Sequence, residues 1–451
     1  MPVSVPTEQD FAGVVDDLAD LTMRVAALEA GGSTPPQPEP PQPEPPSGEG
    51  LQAKCGIDLI ESFGINTFSS MDEHNAWGSW PADYRPEQVI AALQFMAAGT
   101  AYAFPLREYH YKGRETSQRP WFQQILAARP GTRVAICPGA NAKTNDVPSM
   151  LSLASDPSCG IAWVEGLNEP NTDFGSGEVP VEQTKAIQDA VWSGIAGKEI
   201  LGPSIVAGTP HPEGWITGYC GDHLAAINAA MHLGNGHYYP PSSPGVPNTG
   251  YSVSEYVAGI VKAYGHPSHL TEAHPTLYNH AGCKPDQPGW SGERDAYYML
   301  LTLFICAKLD VIVWWYALFD YGKDYICGLF PKNAENPRPA AVAMQTLCRL
   351  CADPKGRPTF QPGRLEVTVS GLPAGADYDL YQLSDGTFVL PLWRAAPELG
   401  GEASPVRVTL AREASMSEWD VVANREIQAA HRTLELTSQL NASARLLVIT
   451  P

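Results

Sequence analysis

The chain has 451 residues, more than one ordinary domain holds, and carries 29 Lys and Arg against 49 Asp and Glu for a formal net charge of −20. That balance excludes the basic footprint that nucleic acid or an anionic membrane surface requires, and leaves a neutral polymer open as a partner. Nowhere is there a run of eighteen apolar residues, so no membrane-spanning helix and no membrane insertion is expected.

Met1–Pro6 has neither a basic stretch nor an apolar core, so no signal peptide is expected. Residues 1–30 form the first unit. Phe11, Val14, Leu18, Leu21, Val25 and Leu28 recur at alternating spacings of three and four, a heptad seam over residues 7–30 that Gly31 and Gly32 stop. Residues 31–50 form a linker, in which Pro-Gln-Pro-Glu-Pro starts at Pro36 and again at Pro41. Such a repeat favours an extended polyproline spacer of roughly 3 Å per residue over a signalling ligand. The N-terminal piece therefore reads as a short coiled-coil helix for oligomerisation or attachment.

Over residues 51–354 apolar strands alternate with amphipathic helices. Strands are predicted at Ile65–Phe68, Thr100–Leu106, Arg133–Cys137, Ile161–Leu167, Ile200–Ala207, Gly236–Tyr239, Ser268–Thr271 and Val311–Trp315. Helices are predicted at Pro86–Ala98, Pro120–Ala128, Val181–Ile195, Ser252–Tyr264, Ser291–Leu309 and Arg338–Cys351. This order spells an α/β fold, a (β/α)8 TIM barrel. An open doubly wound sheet is the alternative, but no Gly-rich phosphate loop follows the first strand.

Residues 355–451 change character. Leu365–Val369, Asp377–Leu383, Thr387–Trp393, Val406–Leu410, Thr433–Leu436 and Ala444–Ile449 alternate between turn residues, which predicts a C-terminal antiparallel β-sandwich. The nine cysteines are scattered and odd in number, and Cys348 and Cys351 have no second pair, so they read as buried thilos near a helix end rather than a metal site. That usage suits a reducing cytoplasm.

Two strand ends carry the chemistry. Ile161-Ala162-Trp163-Val164 breaks into Gly166-Leu167-Asn168-Glu169-Pro170, and Pro267-Ser268-His269-Leu270 runs into Thr271-Glu272-Ala273-His274. In parallel α/β folds ligands bind at the C-terminal ends of strands. Two carboxyls there, one protonated and one ionised, are what cleavage of a glycosidic bond requires.

With Asn168-Glu169 on strand four and Glu272 ending strand seven, residues 55–353 resemble the clan A glycoside hydrolases, and the trailing sandwich resembles that of families 39 and 30. The resemblance implies Glu169 as acid/base and Glu272 as nucleophile of a retaining hydrolase, with no metal or organic cofactor. Arg107, in Pro105-Leu106-Arg107-Glu108, matches an Arg the clan places near its nucleophile; a guanidinium there would hold Glu272 ionised. The other reading pairs Arg107 with Glu108 at the surface. His237-Tyr238-Tyr239 resembles the clan's His-x-Tyr, which implies a Tyr239 hydroxyl on the nucleophile and His237 lining the sugar subsite; a core tyrosine is the alternative. The resemblance also implies Asn168 on the sugar 2-hydroxyl, and Trp315 of Trp314-Trp315-Tyr316 as the floor under the ring. Trp77, Trp80, His110, His274 and Tyr278 are further candidates for subsite walls.

The expected substrate is a β-linked bacterial exo- or capsular polysaccharide. The heptad helix and spacer suit a phage tail or virion depolymerase, attached or oligomerised through residues 7–30. A non-catalytic glycan-binding tail protein on the same barrel is the competing reading. A lyase or aldolase would need a Schiff-base lysine or metal ligands at strand ends, and neither stands out.

Overall fold

The computed structural model describes residues 50–67, 85–139, 146–172, 178–206, 212–239, 253–274, 292–320, 328–331, 335–353, 360–394, 403–440 and 444–451. The heptad helix, the Pro-rich linker, Trp77, Trp80, Tyr278, Cys283 and Cys327 lie outside them. Residues Gly50–Pro451 form one compact unit.

Eight parallel staves build the barrel: β1 (Phe63–Asn66), β2 (Leu106–His110), β3 (Val134–Pro138), β4 (Ile161–Glu165), β5 in two pieces (Glu199–Leu201 and Ile205–Val206), β6 (Gly234–Tyr238), β7 (Ser268–Ala273) and β8 (Val313–Trp315). Each pairs with its neighbours in chain order, and β8 returns to β1. The first piece of β5 pairs with β4 and the second with β6, so that stave closes the ring. The sequence predicts one strand over Ile200–Ala207; Pro203 interrupts it, because proline offers no N–H to a ladder. The strand predicted at Thr100–Leu106 begins instead at Leu106, after Pro105.

Helices α1 (Pro86–Met96), α2 (Glu115–Ala128), α3 (Val147–Ser155), α4 (Val181–Gly194), α5 (Pro212–Cys220), α6 (Val253–Tyr264), α7 (Gly292–Lys308) and α8 (Pro339–Cys351) pack outside. Helix α2 starts before the predicted Pro120, which lies inside it. In α6 the buried Val253, Tyr256, Val257, Ile260 and Tyr264 follow a period near 3.6, one apolar stripe for the barrel wall. The stripe lies so close to β6 that a Cβ at Gly236 would stand 2.4 Å from Ile260 Cδ1, so a larger residue there would have to displace the end of that side chain. Cys348 and Cys351 are buried thiols in the last turn of α8.

Side chains facing the barrel axis lie in layers. The lowest is apolar: Ala135, Trp163, Leu201 and Trp314 cluster, and Gly64 leaves room for the Trp314 ring. Above it sit Asn66, Arg107, Glu165, Asn235 and Thr271, all fully buried. A polar layer in a barrel core costs folding free energy unless every group is hydrogen-bonded.

The C-terminal part is an antiparallel sheet of β9 (Val367–Ser370), β10 (Ala376–Tyr378), β11 (Tyr381–Gln382), β12 (Phe388–Arg394), β13 (Ser404–Asp420), β14 (Arg425–Leu440) and β15 (Arg445–Thr450). It also recruits the start of the described chain, since Leu51–Gln52 pairs with Arg364–Leu365 and Lys54–Cys55 with β11. Strand β12 is buried on both faces. Phe388, Leu390 and Leu392 enter the sheet's own core, whereas Val389 and Trp393 enter the barrel's. Trp393 meets Phe304 of α7 at 5.6 Å between ring centroids, and burial of such an aromatic contributes about 1.5–3 kcal/mol. The hairpin β13–β14, of 17 and 16 residues, is far longer than the segments predicted at Val406–Leu410 and Thr433–Leu436. Much of it is exposed on both faces and carries no alternation to read.

Candidate active site

Strand alternation aims Arg107 and Tyr109 of β2 at the axis, with Asn66 of β1 beside them. The Arg107 guanidinium is fully buried and every one of its nitrogens is used. Its Nε and Nη2 grip Glu165 of β4 at 2.7 and 3.0 Å, and its Nη1 reaches Glu272 Oε1 at 2.7 Å. Nη1 also donates to Asn66 Oδ1 at 2.9 Å, and Nη2 to Asn168 Oδ1 at 2.8 Å. A surface pair with Glu108 is therefore not what Arg107 makes.

Glu272 ends β7, where a register irregularity beside β6 helps turn its side chain to the axis. Besides Arg107, its Oε1 accepts from the Tyr109 hydroxyl, and its Oε2 from the Tyr239 hydroxyl just past β6. His237 of β6 places Nδ1 3.5 Å from Glu272 Oε2 and 2.5 Å from Glu169 Oε1. His237 thus touches both carboxyls.

Glu169 leaves β4 in the left-handed region, at φ 44°. For a residue with a Cβ that conformation costs about 1–3 kcal/mol. Its N–H is held on Ser204 O at 3.0 Å, and its own carbonyl accepts from Thr172 N at 3.0 Å, which fixes the turn. The turn swings the Glu169 side chain back over the barrel mouth, and Asn168 beside it is oriented by Arg107 and by Ser204 Oγ at 3.3 Å.

The two carboxyls sit in opposite electrostatic settings. Burial pushes the Glu169 carboxyl above the ordinary range, and the charge of Glu272 adds to this against His237 and Arg107. Burial acts upward on Glu272 as well, but His237, Arg107 and the hydroxyls of Tyr109 and Tyr239 outweigh it and hold Glu272 below the ordinary range. One acid is biased to keep its proton and its neighbour to lose it. Burial also pushes the Tyr109 and Tyr239 hydroxyls far up, so both stay donors at neutral pH.

Ligand atoms of Glu169, His237 and Glu272 all lie within 4.8 Å of one another, close enough to enclose a cation. The donor set does not fit a resident metal. Both Glu272 oxygens are already taken by donors, and the guanidinium 2.7 Å away already supplies the positive charge.

Trp315 lies elsewhere than predicted. Its register partners are Ile65 and Ala273, outward-facing positions, and its ring lies 4.9 Å from that of His274, away from the axis. Trp314 faces in, but within the apolar bottom layer. Alternation then brings Tyr316 inward at the mouth, with its ring 6.1 Å from that of Tyr239. His274 is buried against Trp315, and His110 is buried with Nδ1 2.6 Å from Gln118 Oε1 of α2. Sequence reasoning missed Asn66, Tyr109, Glu165, Ser204, Asn235 and Tyr316. The available signal was parity: Asn66 and Glu165 fall on the inward phase of otherwise apolar strands, and Tyr109 and Asn235 share the inward phase with Arg107 and His237.

No family model matches the chain, and no curated protein matches its sequence. Among solved structures, a GH30 endoxylanase from Clostridium papyrosolvens is similar with a TM-score of 0.52 at 11% identity, covering 90% of this chain and 98% of that one. An endo-beta-1,6-glucanase is similar with a TM-score of 0.50 at 12% identity, covering 89% and 93% respectively. The chain shares with both a barrel carrying a C-terminal antiparallel sheet. No helix among the described residues is long and apolar enough to cross a membrane.

Proposed function

We propose that the protein is a retaining glycoside hydrolase that cleaves β-linked bonds in a polysaccharide. The observation that carries this reading is the pair Glu169 and Glu272, with one carboxyl oxygen of each no more than 4.8 Å from the other and opposite proton preferences. Retaining enzymes hold their carboxyls about 5–5.5 Å apart, whereas inverting ones need roughly 6.5–9.5 Å to admit a water between them.

In this mechanism Glu169 gives its proton to the leaving oxygen while Glu272 attacks the anomeric carbon, forming a glycosyl ester. Glu169, now ionised, takes a proton from water, which displaces Glu272. Oε1 of Glu272 is anchored by Arg107 and Tyr109, so Oε2, which has the single hydroxyl of Tyr239, is the attacking atom. Asn168 spends its carbonyl oxygen on Arg107, which leaves its amide N–H groups for the sugar 2-hydroxyl. Tyr316 takes the floor position assigned above to Trp315. His237 holds Glu169 Oε1 in place through Nδ1 and borders the same subsite.

The substrate reading is a bacterial exo- or capsular polysaccharide, with residues 7–30 as an oligomerisation or virion attachment segment. The heptad seam and the Pro-Gln-Pro-Glu-Pro repeat support that part, and a net charge of −20 favours no nucleic acid partner. The test is incubation with 2-deoxy-2-fluoroglycosides bearing activated leaving groups, followed by peptide mass spectrometry. An adduct on Glu272, absent in Glu272→Ala together with all turnover, is the expected result. Full turnover in Glu272→Ala would overturn the assignment.

A further inference from the structure

The reaction above uses two of the three carboxylates around Arg107 and gives no task to Glu165. We propose that Glu165 is a positioning residue that divides the Arg107 charge, keeping Glu272 nucleophilic and keeping the guanidinium compensated once Glu272 has become an ester. This inference rests on the hydrolase reading and deepens it.

The geometry is specific. Glu165 takes the Nε edge of Arg107 through both oxygens, at 2.7 and 3.0 Å, in the fork arrangement that fixes a guanidinium plane. With that edge occupied, Nη1 is left for Glu272 and the second N–H of Nη2 for Asn168. Glu165 is itself held from the far side, because Asn235 Nδ2 donates to its Oε2 at 3.1 Å and Thr271 Oγ1 donates to Asn235 Oδ1 at 2.7 Å. The chain Thr271, Asn235, Glu165, Arg107 then ends on the two groups nearest the reacting sugar.

Charge counting gives the arrangement its purpose. Before attack, one guanidinium faces two ionised carboxylates. When Glu272 forms its bond to the anomeric carbon, the glycosidic C–O bond breaks, the leaving oxygen takes the Glu169 proton, and Glu272 loses its charge. Without Glu165, Arg107 would then be a buried cation with no carboxylate in direct contact, because the newly ionised Glu169 sits against His237, and such a state is costly. Glu165 forms no bond to substrate and keeps its charge throughout, so Arg107 stays paired in every state of the cycle. Before attack the same sharing weakens the hold of Arg107 on Glu272, which would otherwise make that carboxylate a poorer base and nucleophile. Among the described residues, the other titratable groups around Glu272 include Tyr109 of β2 and Tyr111 just past it, Cys137 of β3, which also faces Arg107, His237 and Tyr239 from β6 and its end, and Glu169 after β4, with Tyr316 after β8 beside Tyr109 and Tyr239.

The test is carboxyl carbon-13 NMR titration of the full chain labelled at Glu side chains, with the Glu272 signal assigned by its loss in E272Q. In E165Q, which keeps shape and removes charge, the Glu272 midpoint should fall by about one pH unit, a tenfold change in acid dissociation. In E165D, whose carboxylate is drawn back from Arg107, it should fall by less. A folded E165Q with an unmoved Glu272 midpoint overturns the proposal; if E165Q does not fold, an unmoved midpoint in E165D does so. A merely structural role would lower thermal stability without moving that midpoint. The rate of fluorosugar adduct formation should also drop about tenfold in E165Q. If the unaltered chain forms no adduct at all, the hydrolase reading fails, while the Glu272 titration still decides whether Glu165 shares the Arg107 charge.

Discussion

Arg107 in the barrel and Arg445 in the C-terminal sheet each face two acidic side chains in a buried setting, and the two clusters differ in how they are built. Arg445 and Asp420 are register partners on adjacent strands, 2.7 Å apart, and Glu418 lies two residues away with 3.7 Å between its Oε1 and Arg445 Nε. Glu418 leans instead on Ser438 Oγ at 2.5 Å and Gln428 Nε2 at 3.1 Å, both from β14. The barrel cluster draws instead on β1, β2, β4, β6 and β7, which converge on one axis. Burial raises Glu418 as it raises Glu169. A raised carboxyl alone therefore marks no site. What singles out Glu169 is a second carboxyl within reach that its surroundings drive the other way.

The sharpest way to break this contrast is to remove Glu169. Glu169→Ala should lower turnover of a polysaccharide substrate by about 10²–10⁴-fold, the usual worth of a general acid. It should also abolish the alkaline limb of the pH–rate profile, because that limb reports loss of the Glu169 proton. Aryl glycosides with good leaving groups need no such proton in the first step, so their kcat/KM should be largely retained while kcat falls, because hydrolysis of the ester still needs Glu169 as base. Equal losses of kcat/KM on both substrate types would count against the acid/base role.

In the other region the large effect is on stability. Trp393→Ala removes the ring that β12 inserts against Phe304, at a cost of about 3–5 kcal/mol. Guanidinium unfolding should register that loss, while the pH–rate profile of the folded fraction keeps its shape. A loss below about 1 kcal/mol would mean that the sheet is anchored to the barrel by contacts other than this one.

The same division explains what could be read from sequence. Apolar runs with helices between them announce eight staves, and the break after Val164 marks Glu169 because a strand that ends in Asn-Glu-Pro must place polar groups at the barrel mouth. Strand β2 was misplaced because Leu106-Arg107-Glu108-Tyr109-His110 is buried throughout yet mostly polar, against the pattern that defines a buried strand. Glu165 was legible only by parity with Trp163, and parity needs a correct strand first. Trp315 shows the converse: the residue type was right for a sugar platform, but a phase shift of one residue decides which side chain faces in. In the C-terminal sheet, β13 and β14 extend past their apolar segments through Arg412, Glu413, His431 and Arg432, whose exposure leaves no hydrophobic alternation.

A smaller effect tests how Glu272 is held ionised. Tyr239→Phe deletes the hydroxyl donor on Oε2 but leaves Arg107 and Tyr109 on Oε1. A hydrogen bond to a charged group is worth about 1.5–3 kcal/mol, which corresponds to roughly 1–2 pH units. The hydroxyl favours the ionised form, so its loss raises the folded-state pKa and moves the acidic limb of kcat/KM to higher pH. The stability that Glu272 contributes above its unfolded pKa, and that is lost as pH falls through its folded value, shrinks accordingly. An acidic limb that stays in place would show that Tyr239 does not act on the nucleophile.

The smallest effect belongs to Glu418, and its sign separates the two clusters. Its folded-state pKa is raised, so folding loses stability as pH rises from the unfolded carboxylate value through the folded one. Glu418→Gln removes that titration. Below the unfolded pKa the variant and the parent should be equally stable, and near neutral pH the variant should be level or ahead by about 1 kcal/mol, since Arg445 keeps Asp420. Turnover should not change, because no strand end aims Glu418 at the barrel mouth. Chemical denaturation at pH 4 and pH 8, with turnover measured in parallel, checks both halves: a fall in turnover without a fall in stability would connect the sheet cluster to catalysis and erase the distinction between the two arginines.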